Sequence, residues 1–109
     1  MHIASTVKAN KMIIKVKGDL DLVSAQQFKQ VVERSIVKGR TKNIILDLEE
    51  VGFIDSSGLG VILGRYKNLR NRGGRLSIIN PQPQVTRLLE LSGIGKLAHI
   101  YNSEKEALQ

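Results

Sequence analysis

Two adjacent serines, between an aspartate and two glycines, form the part of the chain whose residue types could do chemistry. The segment is made of Asp55, Ser56, Ser57, Gly58, Leu59 and Gly60. A helical pattern follows it, so we expect the hydroxyls near the start of a helix. A helix start exposes unpaired N–H groups and a partial positive charge of about half a unit. A phosphoserine, with about −1.5 to −2 charges, would be stabilised there.

The residues alone allow two functions for this segment. In the first, Ser57 is phosphorylated, and Gly58 and Gly60 leave room for the active site of another protein to approach the hydroxyl. In the second, Asp55 caps the helix by accepting its first N–H groups, and the serines have no further role. The residues favour capping without excluding modification, so both interpretations stay open.

An enzymatic use of Ser57 finds little support in the rest of the chain. A G-x-S-x-G nucleophile needs glycine two residues before the serine, where this chain has Asp55. The histidines available as a base are His2, in a terminal segment, and His99, in an apolar run where a structural role is expected. We therefore predict no catalytic residue.

Three glycines spaced as in a nucleotide-binding loop also have a simpler explanation. Gly58, Gly60 and Gly64 resemble a dinucleotide-binding loop, but the next predicted strand ends at Asn80 without an acidic residue for a ribose. No Walker lysine follows Gly64 either. We interpret Gly60 and Gly64 as positions where a helix packs closely on a sheet.

Short strands and helices alternate around this segment and must position it. We predict strands over residues 3–9, 12–17, 43–48, 76–79 and 97–101, with a turn at Asn10-Lys11. One helix is predicted from Ser24 to a stop at Gly39, and a second from about Ser57 to Arg72. A third is introduced by Pro81 and Pro83 and ends at Ser92-Gly93. Capping boxes are formed by Ser24 and Gln27 and, for a last short helix, by Ser103 and Glu106. The alternation implies parallel strand pairing, to which the opening hairpin adds an antiparallel pair. The predicted fold is α/β: a single domain over residues 1–109 with a mixed, mostly parallel sheet and helices packed against it.

Composition limits the other functions that the chain could have. Its 109 residues are 41% hydrophobic, enough for one core, and the absence of cysteine excludes disulfides and thiolate metal sites. We predict no metal site. No apolar run reaches the roughly 20 residues of a membrane helix, and the N-terminus is unlike a signal peptide. We therefore expect a cytoplasmic, soluble protein without a membrane partner.

A basic stretch gives the chain a possible link to nucleic acids. The formal charge is +7, and five cations without an acid between them are Arg65, Lys67, Arg70, Arg72 and Arg75. The simplest interpretation is a solvated helix face. Binding to nucleic acid would be better supported by aromatic side chains for base stacking, and Tyr66 is the only one near. A nucleotide- or nucleic-acid-binding module stays open as an alternative, and it predicts steeply salt-dependent binding.

The chain resembles the STAS-domain anti-sigma factor antagonists, and above all those of the sporulation pathway. The resemblance is strongest over residues 53–67, which extend the Asp-Ser-x-Gly core shared by the family. Residues 18–21, Gly-Asp-Leu-Asp, are similar to the family's turn after the second strand, and residues 91–93 to the end of its third helix. Order and length agree along nearly the whole chain, so the resemblance implies a STAS-like fold.

The resemblance implies a switch between protein partners. The unphosphorylated antagonist binds a dimeric anti-sigma factor that is also a serine kinase, and a sigma factor is released. The kinase, with ATP and Mg²⁺ in its own site, phosphorylates Ser57, and a manganese-dependent serine phosphatase resets the switch. Asp21 is expected beside Ser57, bonded to its hydroxyl. The chain itself would need no cofactor, and an antagonist of a general stress pathway with the same fold is the nearest alternative.

Overall fold

The computed structural model describes residues 1–39 and 41–109, which form five strands and five helices. In chain order they are β1 (His2–Lys8), β2 (Lys11–Lys17), α1 (Ala25–Gly39), β3 (Asn43–Glu50), α2 (Ser56–Asn71), β4 (Arg75–Ile79), α3 (Pro83–Leu91), α4 (Ile94–Leu97), β5 (His99–Tyr101) and α5 (Glu104–Leu108). The strands form one sheet in the order β1-β2-β3-β4-β5. β1 is antiparallel to β2, and every other neighbouring pair is parallel. The predicted mixed, mostly parallel sheet is confirmed.

The main hydrophobic core lies between one face of the sheet and helices α1 to α4. Ile14, Leu46 and Ile78, from the three central strands, are buried in one cluster with Phe28 of α1 and Ile62 of α2. Side chains alternate between the faces of a strand, so the residues between these point to the other face. The core therefore fixes α1 and α2 on the same side of the sheet.

The last helix covers the opposite face of the sheet. Ile13, Ile45 and Ile79 are buried there together with Ala107 of α5. The Ser103 hydroxyl accepts a hydrogen bond from the Glu106 N–H at 3.2 Å, so the predicted cap of this helix is confirmed. The short C-terminal helix is thus a structural part of the domain.

The opening hairpin turns one residue earlier than predicted. Lys8 pairs with Lys11, which leaves Ala9 and Asn10 as a two-residue loop with φ of 52° and 62°. Positive φ at both central residues is typical of a type I′ turn, whose twist matches that of the strands. The predicted turn at Asn10-Lys11 is therefore displaced by one residue.

The predicted start of the last strand is wrong. Leu97 ends the short helix α4, and the strand predicted over residues 97–101 begins only at His99. The His99 side chain is exposed on the edge strand β5 and lies against Tyr101, with the ring centroids 4.2 Å apart. The structural role expected of His99 stays a prediction.

Parallel pairing of β2 with β3 brings two distant segments together. Lys17, the last residue of β2, pairs with Glu50, the last residue of β3. The segments that follow both strands consequently leave the sheet at the same edge, which is where ligands and partners commonly bind in α/β folds. One of these segments contains Asp21, and the other leads to Ser57.

Candidate phosphorylation and docking site

Ser57 is the second residue of α2, two positions after the N-cap residue. Asp55 is the N-cap, with extended backbone angles (φ −99°, ψ −174°), and its Oδ1 accepts a hydrogen bond from the Gly58 N–H at 3.0 Å. The predicted cap is therefore confirmed. Ser57 is half-buried and Ser56 is exposed. Capping by Asp55 leaves Ser57 at the positive end of the helix, so capping and modification are compatible uses of one segment.

The second oxygen of the Asp55 carboxylate binds a neighbouring loop to the start of the helix. Asp55 Oδ2 accepts a hydrogen bond from the Leu22 N–H at 3.1 Å. Two backbone bonds reinforce the contact: Leu20 donates to the Phe53 carbonyl at 2.9 Å, and Asp55 donates to the Leu20 carbonyl at 3.2 Å. We call residues 18–24 the docking loop. Its position beside Ser57 is fixed by these three bonds.

Gly58 allows the docking loop to lie against the first turn of α2. A Cβ at Gly58 would be 2.2 Å from the Leu20 carbonyl oxygen, far inside any allowed contact. The space beside Gly58 is therefore filled by the chain itself, and the expectation that this glycine opens the approach to Ser57 is wrong. Gly60 and Gly64 were expected to pack on the sheet, but no heavy atom lies within 4 Å of a Cβ there. Leu59, between Gly58 and Gly60, packs partly buried on the main core.

Asp21 organises the docking loop rather than the serine. Its Oδ1 accepts hydrogen bonds from the N–H groups of Val23 and Ser24, both at 3.1 Å, and lies 3.2 Å from the Ser24 Oγ. Within residues 1–39 and 41–109, no hydrogen bond joins Asp21 to the Ser57 hydroxyl, so the expected bond is not formed. Asp21 and Ser57 are nevertheless brought to the same edge of the sheet, since the docking loop is fixed to the cap of α2.

The predicted capping box at α1 is wrong in its partners. The Ser24 hydroxyl donates to the Asp19 carbonyl at 2.7 Å and accepts from the Asp21 N–H at 3.0 Å, both within the docking loop. The Gln27 side chain donates instead to the Met1 carbonyl at 3.3 Å. Asp21 and Ser24 thus close a turn that precedes the helix, a use of short polar side chains that competes with capping.

We expect Asp21 to contribute an acid-sensitive part of the stability. The backbone N–H of Ser24, which donates to the carboxylate, lowers the pKa of Asp21 from its ordinary value of 3.8. A carboxyl group with a lowered folded-state pKa stabilises the fold above its unfolded pKa of about 3.9, and this contribution is lost as the pH falls through the lower folded value. The free energy of unfolding of Asp21→Asn, measured with urea, should therefore fall less than that of the parent between about pH 5 and pH 3.

The control for this measurement is Asp19→Asn, because Asp19 takes part in the turn through its backbone carbonyl and not through its carboxylate. If the free energy of unfolding of Asp21→Asn fell with pH as steeply as that of the parent and of Asp19→Asn, Asp21 would not be an acid-sensitive contributor to the stability. Comparing slopes against pH, rather than single stabilities, separates the titration of Asp21 from the cost of changing its hydrogen bonds.

Three exposed apolar side chains lie on the two segments that meet before α2, and the sequence patterns did not single them out. Leu22 and Val23 of the docking loop are 75% and 90% exposed, and Phe53 is 51% exposed. Leu22-Val23 is an apolar pair inside a polar turn, between Asp21 and Ser24. That position was the available signal, because a turn gives an apolar side chain no core to enter.

The same edge of the sheet is acidic although the protein is basic. The docking loop and residues 49–58 contain five of the ten carboxylates, namely Asp19, Asp21, Glu49, Glu50 and Asp55. No lysine or arginine lies within these two ranges. Lys17 directly precedes the docking loop and pairs with Glu50, and Lys15 reaches Glu50 at 3.8 Å in a half-exposed ion pair. A phosphate at Ser57 would therefore enter a region of like charge.

The predicted basic face lies toward the other end of α2. Arg65 is not part of it, because it is buried and forms an ion pair with Glu33 of α1. Lys67, Arg70, Arg72 and Arg75 are exposed, as the solvated-face interpretation predicted. Ser57 and Arg70 are separated by thirteen residues of helix, or about 20 Å at 1.5 Å per residue. The cations and the serine therefore belong to different surfaces.

The described part of the chain contains neither a cluster of metal ligands nor a helix that could span a membrane. Among residues 1–39 and 41–109, no group of three or more histidine, cysteine, aspartate or glutamate residues could hold a metal ion. None of the described helices combines the length and hydrophobicity of a membrane span. A cavity of about 420 Å³ lies between β1 and α1, lined by residues such as Val7, Met12 and Arg34, and is separate from Ser57.

Comparison with known proteins gives this geometry a context. The sequence pattern of the STAS domain matches residues 2–107. An anti-sigma F factor antagonist of Paenibacillus polymyxa is 38% identical over 97 residues, which cover 89% of this chain and 83% of the relative. An anti-sigma-B factor antagonist of Listeria monocytogenes is 37% identical over 95 residues, covering 85% and 81%.

Solved structures show the same fold. SpoIIAA, an anti-sigma factor antagonist, superimposes in its unphosphorylated form with a TM-score of 0.82 and 30% identity, over 98% of this chain and 93% of that one. The phosphorylated form of SpoIIAA, a cell fate determinant of Bacillus, gives a TM-score of 0.75 and 30% identity, over 98% and 96%. A protein of this fold therefore exists in both phosphorylation states.

Proposed function

The chain belongs to the STAS domain family, and on this basis we propose that it is an anti-sigma factor antagonist switched by phosphorylation of Ser57. The unphosphorylated form binds an anti-sigma factor that is also a serine kinase, and the sigma factor held by that kinase is released. Phosphorylation ends the binding, and a serine phosphatase restores it. This cycle operates in the cytoplasm, where sigma factors engage RNA polymerase.

The observation that carries the proposal is the position of Ser57 as the second residue of a capped helix beside the docking loop. The kinase would transfer the γ-phosphoryl group of ATP to Ser57 Oγ, with ADP leaving and the hydroxyl proton passing to a base of the kinase. ATP and Mg²⁺ belong to the kinase in this scheme, and the antagonist contributes the hydroxyl and the surface that holds it. The phosphatase would return the hydroxyl by hydrolysis, which releases inorganic phosphate.

The helix start can hold the phosphate without unfolding. N–H groups in the first turn of α2 and the positive end of the helix favour an anion near Ser57. Asp55 already uses the Gly58 N–H, so the phosphate adds to the cap rather than replacing it. The five carboxylates nearby oppose the new charge through solvent, where such repulsion is weak. We expect a changed surface on an unchanged fold.

The sporulation pathway is the first candidate, and a general stress pathway is the second. The relatives that support them, one an anti-sigma F and one an anti-sigma-B factor antagonist, are almost equally similar to this chain. The two candidates share the chemistry at Ser57 and differ in the partner. Pull-down with the anti-sigma factors of both pathways from the same host would distinguish them.

The proposal predicts a single phosphate on Ser57 after incubation with the cognate anti-sigma kinase, ATP and Mg²⁺. Intact mass followed by site-resolved fragmentation measures both the number of phosphates and their position. Ser57→Ala should accept none. Ser56→Ala is the matched control, since it removes the exposed neighbouring hydroxyl and should be phosphorylated like the parent. Phosphate on Ser57→Ala, or none on the parent with an active kinase, would contradict the proposal.

A further inference from the structure

The first strand of the sheet has an open side. β1 is the first member of the order β1-β2-β3-β4-β5, so only its β2 side is paired within the described sheet. Proteins commonly protect such an edge with a charge in the middle of the strand, a proline or a bulge. β1 has none of these: residues 3–7 are Ile-Ala-Ser-Thr-Val, and the strand pairs with β2 along its whole length without a shift of register. The edge is therefore able to accept a further strand.

The turn between β1 and β2 determines which backbone groups of β1 point outward. Residues that flank a two-residue turn of type I′ form a hydrogen-bonded pair, and here they are Lys8 and Lys11. Bonded and non-bonded pairs alternate along an antiparallel ladder. Ile3, Ser5 and Val7 are then the non-bonded positions, and their N–H and C=O groups point away from β2. These three residues present donors and acceptors to a new strand.

A groove runs beside these outward-facing groups, between β1 and α1. Its cavity of about 420 Å³ has Val7, Met12 and Val31 among its lining residues. Met12 is buried, Val31 is half-buried and Val7 is 53% exposed, so the floor is apolar and opens to solvent at the strand. We call the following six lining residues the edge groove: Ser5, Val7, Met12, Val31, Arg34 and Lys38. Every second side chain of a strand added to β1 would enter it.

The helix side of the edge groove is basic. Arg34 and Lys38 lie one turn apart on the same face of α1, and both are exposed. None of the ion pairs between described residues includes either of them. The elements on the two sides of the groove, residues 1–18 and 25–39, contain seven cations and one carboxylate, and that carboxylate, Glu33, pairs with Arg65. These elements thus hold nearly all of the net positive charge of the chain, which favours an acidic partner.

The spacing of the two cations fits the repeat of a strand. α1 follows β2 and leads to the parallel strand β3, so it runs antiparallel to β2 and in the same direction as β1. Residues i and i+4 of a helix are about 6 Å apart along its axis. Side chains at positions i and i+2 of a strand are about 6.6–6.8 Å apart on one face. Two acidic side chains at this spacing would therefore reach Arg34 and Lys38 together.

We propose that the edge groove binds an extended, acidic segment of another protein, which adds to β1 as a further strand. The outward backbone groups of β1 pair with this segment. An apolar side chain of the segment fills the groove beside Val7 and Met12, and acidic side chains at two-residue spacing face Arg34 and Lys38. A second copy of this chain is a poorer occupant, because pairing of two β1 edges would bring the cations of both copies together.

The edge groove is remote from Ser57. Val7 pairs with Met12 near the start of β2, whereas the docking loop begins after Lys17, five residues further along the strand. That separation is about 17 Å at 3.3–3.4 Å per residue. The inference therefore goes beyond the proposed function: a second partner can bind here while the Ser57 edge is occupied.

The probe for this site is a capped peptide, Glu-Thr-Glu-Thr-Val-Thr-Glu-Thr-Glu, whose symmetric sequence suits either strand direction. At about 1 mM peptide and low ionic strength, we expect the amide resonances of Ile3, Ser5 and Val7 to shift and their hydrogen exchange to slow, because their N–H groups gain partners. The same peptide with lysine in place of glutamate should not bind. Unchanged β1 amides in the presence of the acidic peptide would overturn the proposal.

A double variant tests the basic side of the groove. Arg34→Gln/Lys38→Gln should weaken binding of the acidic peptide about fivefold or more, since two exposed charge pairs are lost, and the difference should fade at about 1 M salt. Lys67→Gln/Arg70→Gln is the matched control, because it removes the same charge from exposed positions of α2. An equal loss in both double variants would show that net charge alone attracts the peptide and that the groove is not its site.

Ser5→Pro tests the backbone pairing. The Ser5 N–H points away from β2, and proline is tolerated at such positions of an edge strand, so the melting temperature should stay close to that of the parent while peptide binding is lost. Thr6→Pro removes an N–H of the β1–β2 ladder and should lower the melting temperature instead. A folded Ser5→Pro variant that binds the peptide as tightly as the parent would contradict strand addition.

Two further measurements separate the inference from its alternatives. Ser57→Asp should bind the acidic peptide as tightly as the parent; weaker binding would place the peptide at the Ser57 edge and overturn the inference, whether or not the kinase phosphorylates Ser57. Sedimentation should show a monomer for the parent. A dimer that Ser5→Pro dissociates would show that a second copy occupies the edge of β1, and the proposed partner would be wrong.

Discussion

Phosphorylation of Ser57 is expected to weaken binding of the anti-sigma factor kinase more than a hundredfold while the fold is retained. A loss of about 3 kcal/mol in binding free energy is enough for this factor. The phosphate adds about −1.5 to −2 charges and three acceptor oxygens at one point of the docking surface. The binding constants of the two forms, compared by calorimetry on the ADP-bound kinase, measure the effect directly.

Two observations would decide whether the loss of affinity comes from a changed surface or from a changed fold. The melting temperatures of the two forms should agree within about 5 °C, since an anion at a helix start typically changes stability by about 0.3–1 kcal/mol. Ser57→Asp should weaken binding by a smaller factor than the phosphate, because it adds one charge and a shorter side chain. Equal affinity of the phosphorylated and unphosphorylated forms would rule out this switch.

Gly58→Ala should destabilise the domain by about 2 kcal/mol or more, although alanine is the better helix former. Its Cβ would meet the Leu20 carbonyl oxygen at 2.2 Å, and Leu20 Cγ and Ile54 Cγ2 at 2.9 Å. The oxygen cannot move away without breaking its bond to the Asp55 N–H. Overpacking of this kind commonly costs about 1–3 kcal/mol. Thermal unfolding should show a melting temperature lower by about 10 °C.

Gly60→Ala is the control two residues further along the same helix. No heavy atom lies within 4 Å of its Cβ, and the position is exposed. Alanine should therefore stabilise the helix there by about 0.5–1 kcal/mol through its lower backbone entropy cost. Equal stabilities for the two variants would show that the docking loop does not press on the first turn of α2. Gly58→Ala should also weaken kinase binding, since a displaced Leu20 moves Leu22 and Val23.

The acidic edge of this basic protein is a consequence of the order and direction of its strands. In a parallel sheet, the segments after each strand gather at one edge, so Asp19 and Asp21 after β2 join Glu49, Glu50 and Asp55 at the end of β3. Net charge averages over the surface and cannot report such a separation. A protein that docks at this edge would meet the local field at distances of about a Debye length, which is about 8 Å at physiological salt. The local charge therefore decides the complementarity at this site.

The sequence by itself determined the order of the elements and the helix that carries Ser57. Apolar alternation in β2 and the helical spacing of Phe28, Val32 and Ile36 are local patterns, and each specifies an element whatever its neighbours are. Asp55 was predictable as a cap because the interaction spans only three residues. The resemblance over residues 53–67 supplied the role proposed for Ser57, which capping chemistry could not decide.

The tertiary structure alone decided what lies next to Ser57. Contact between the docking loop and α2 joins residues 33 positions apart, as in the bond from the Leu22 N–H to Asp55 Oδ2, and no periodicity encodes such a pair. The glycines show the same limit: Gly58 and Gly60 look alike in the sequence, yet only the first faces a backbone carbonyl. Local propensity fixes which residues form a helix, whereas packing fixes which surface that helix meets. The identity of the docking surface is therefore a property of the fold.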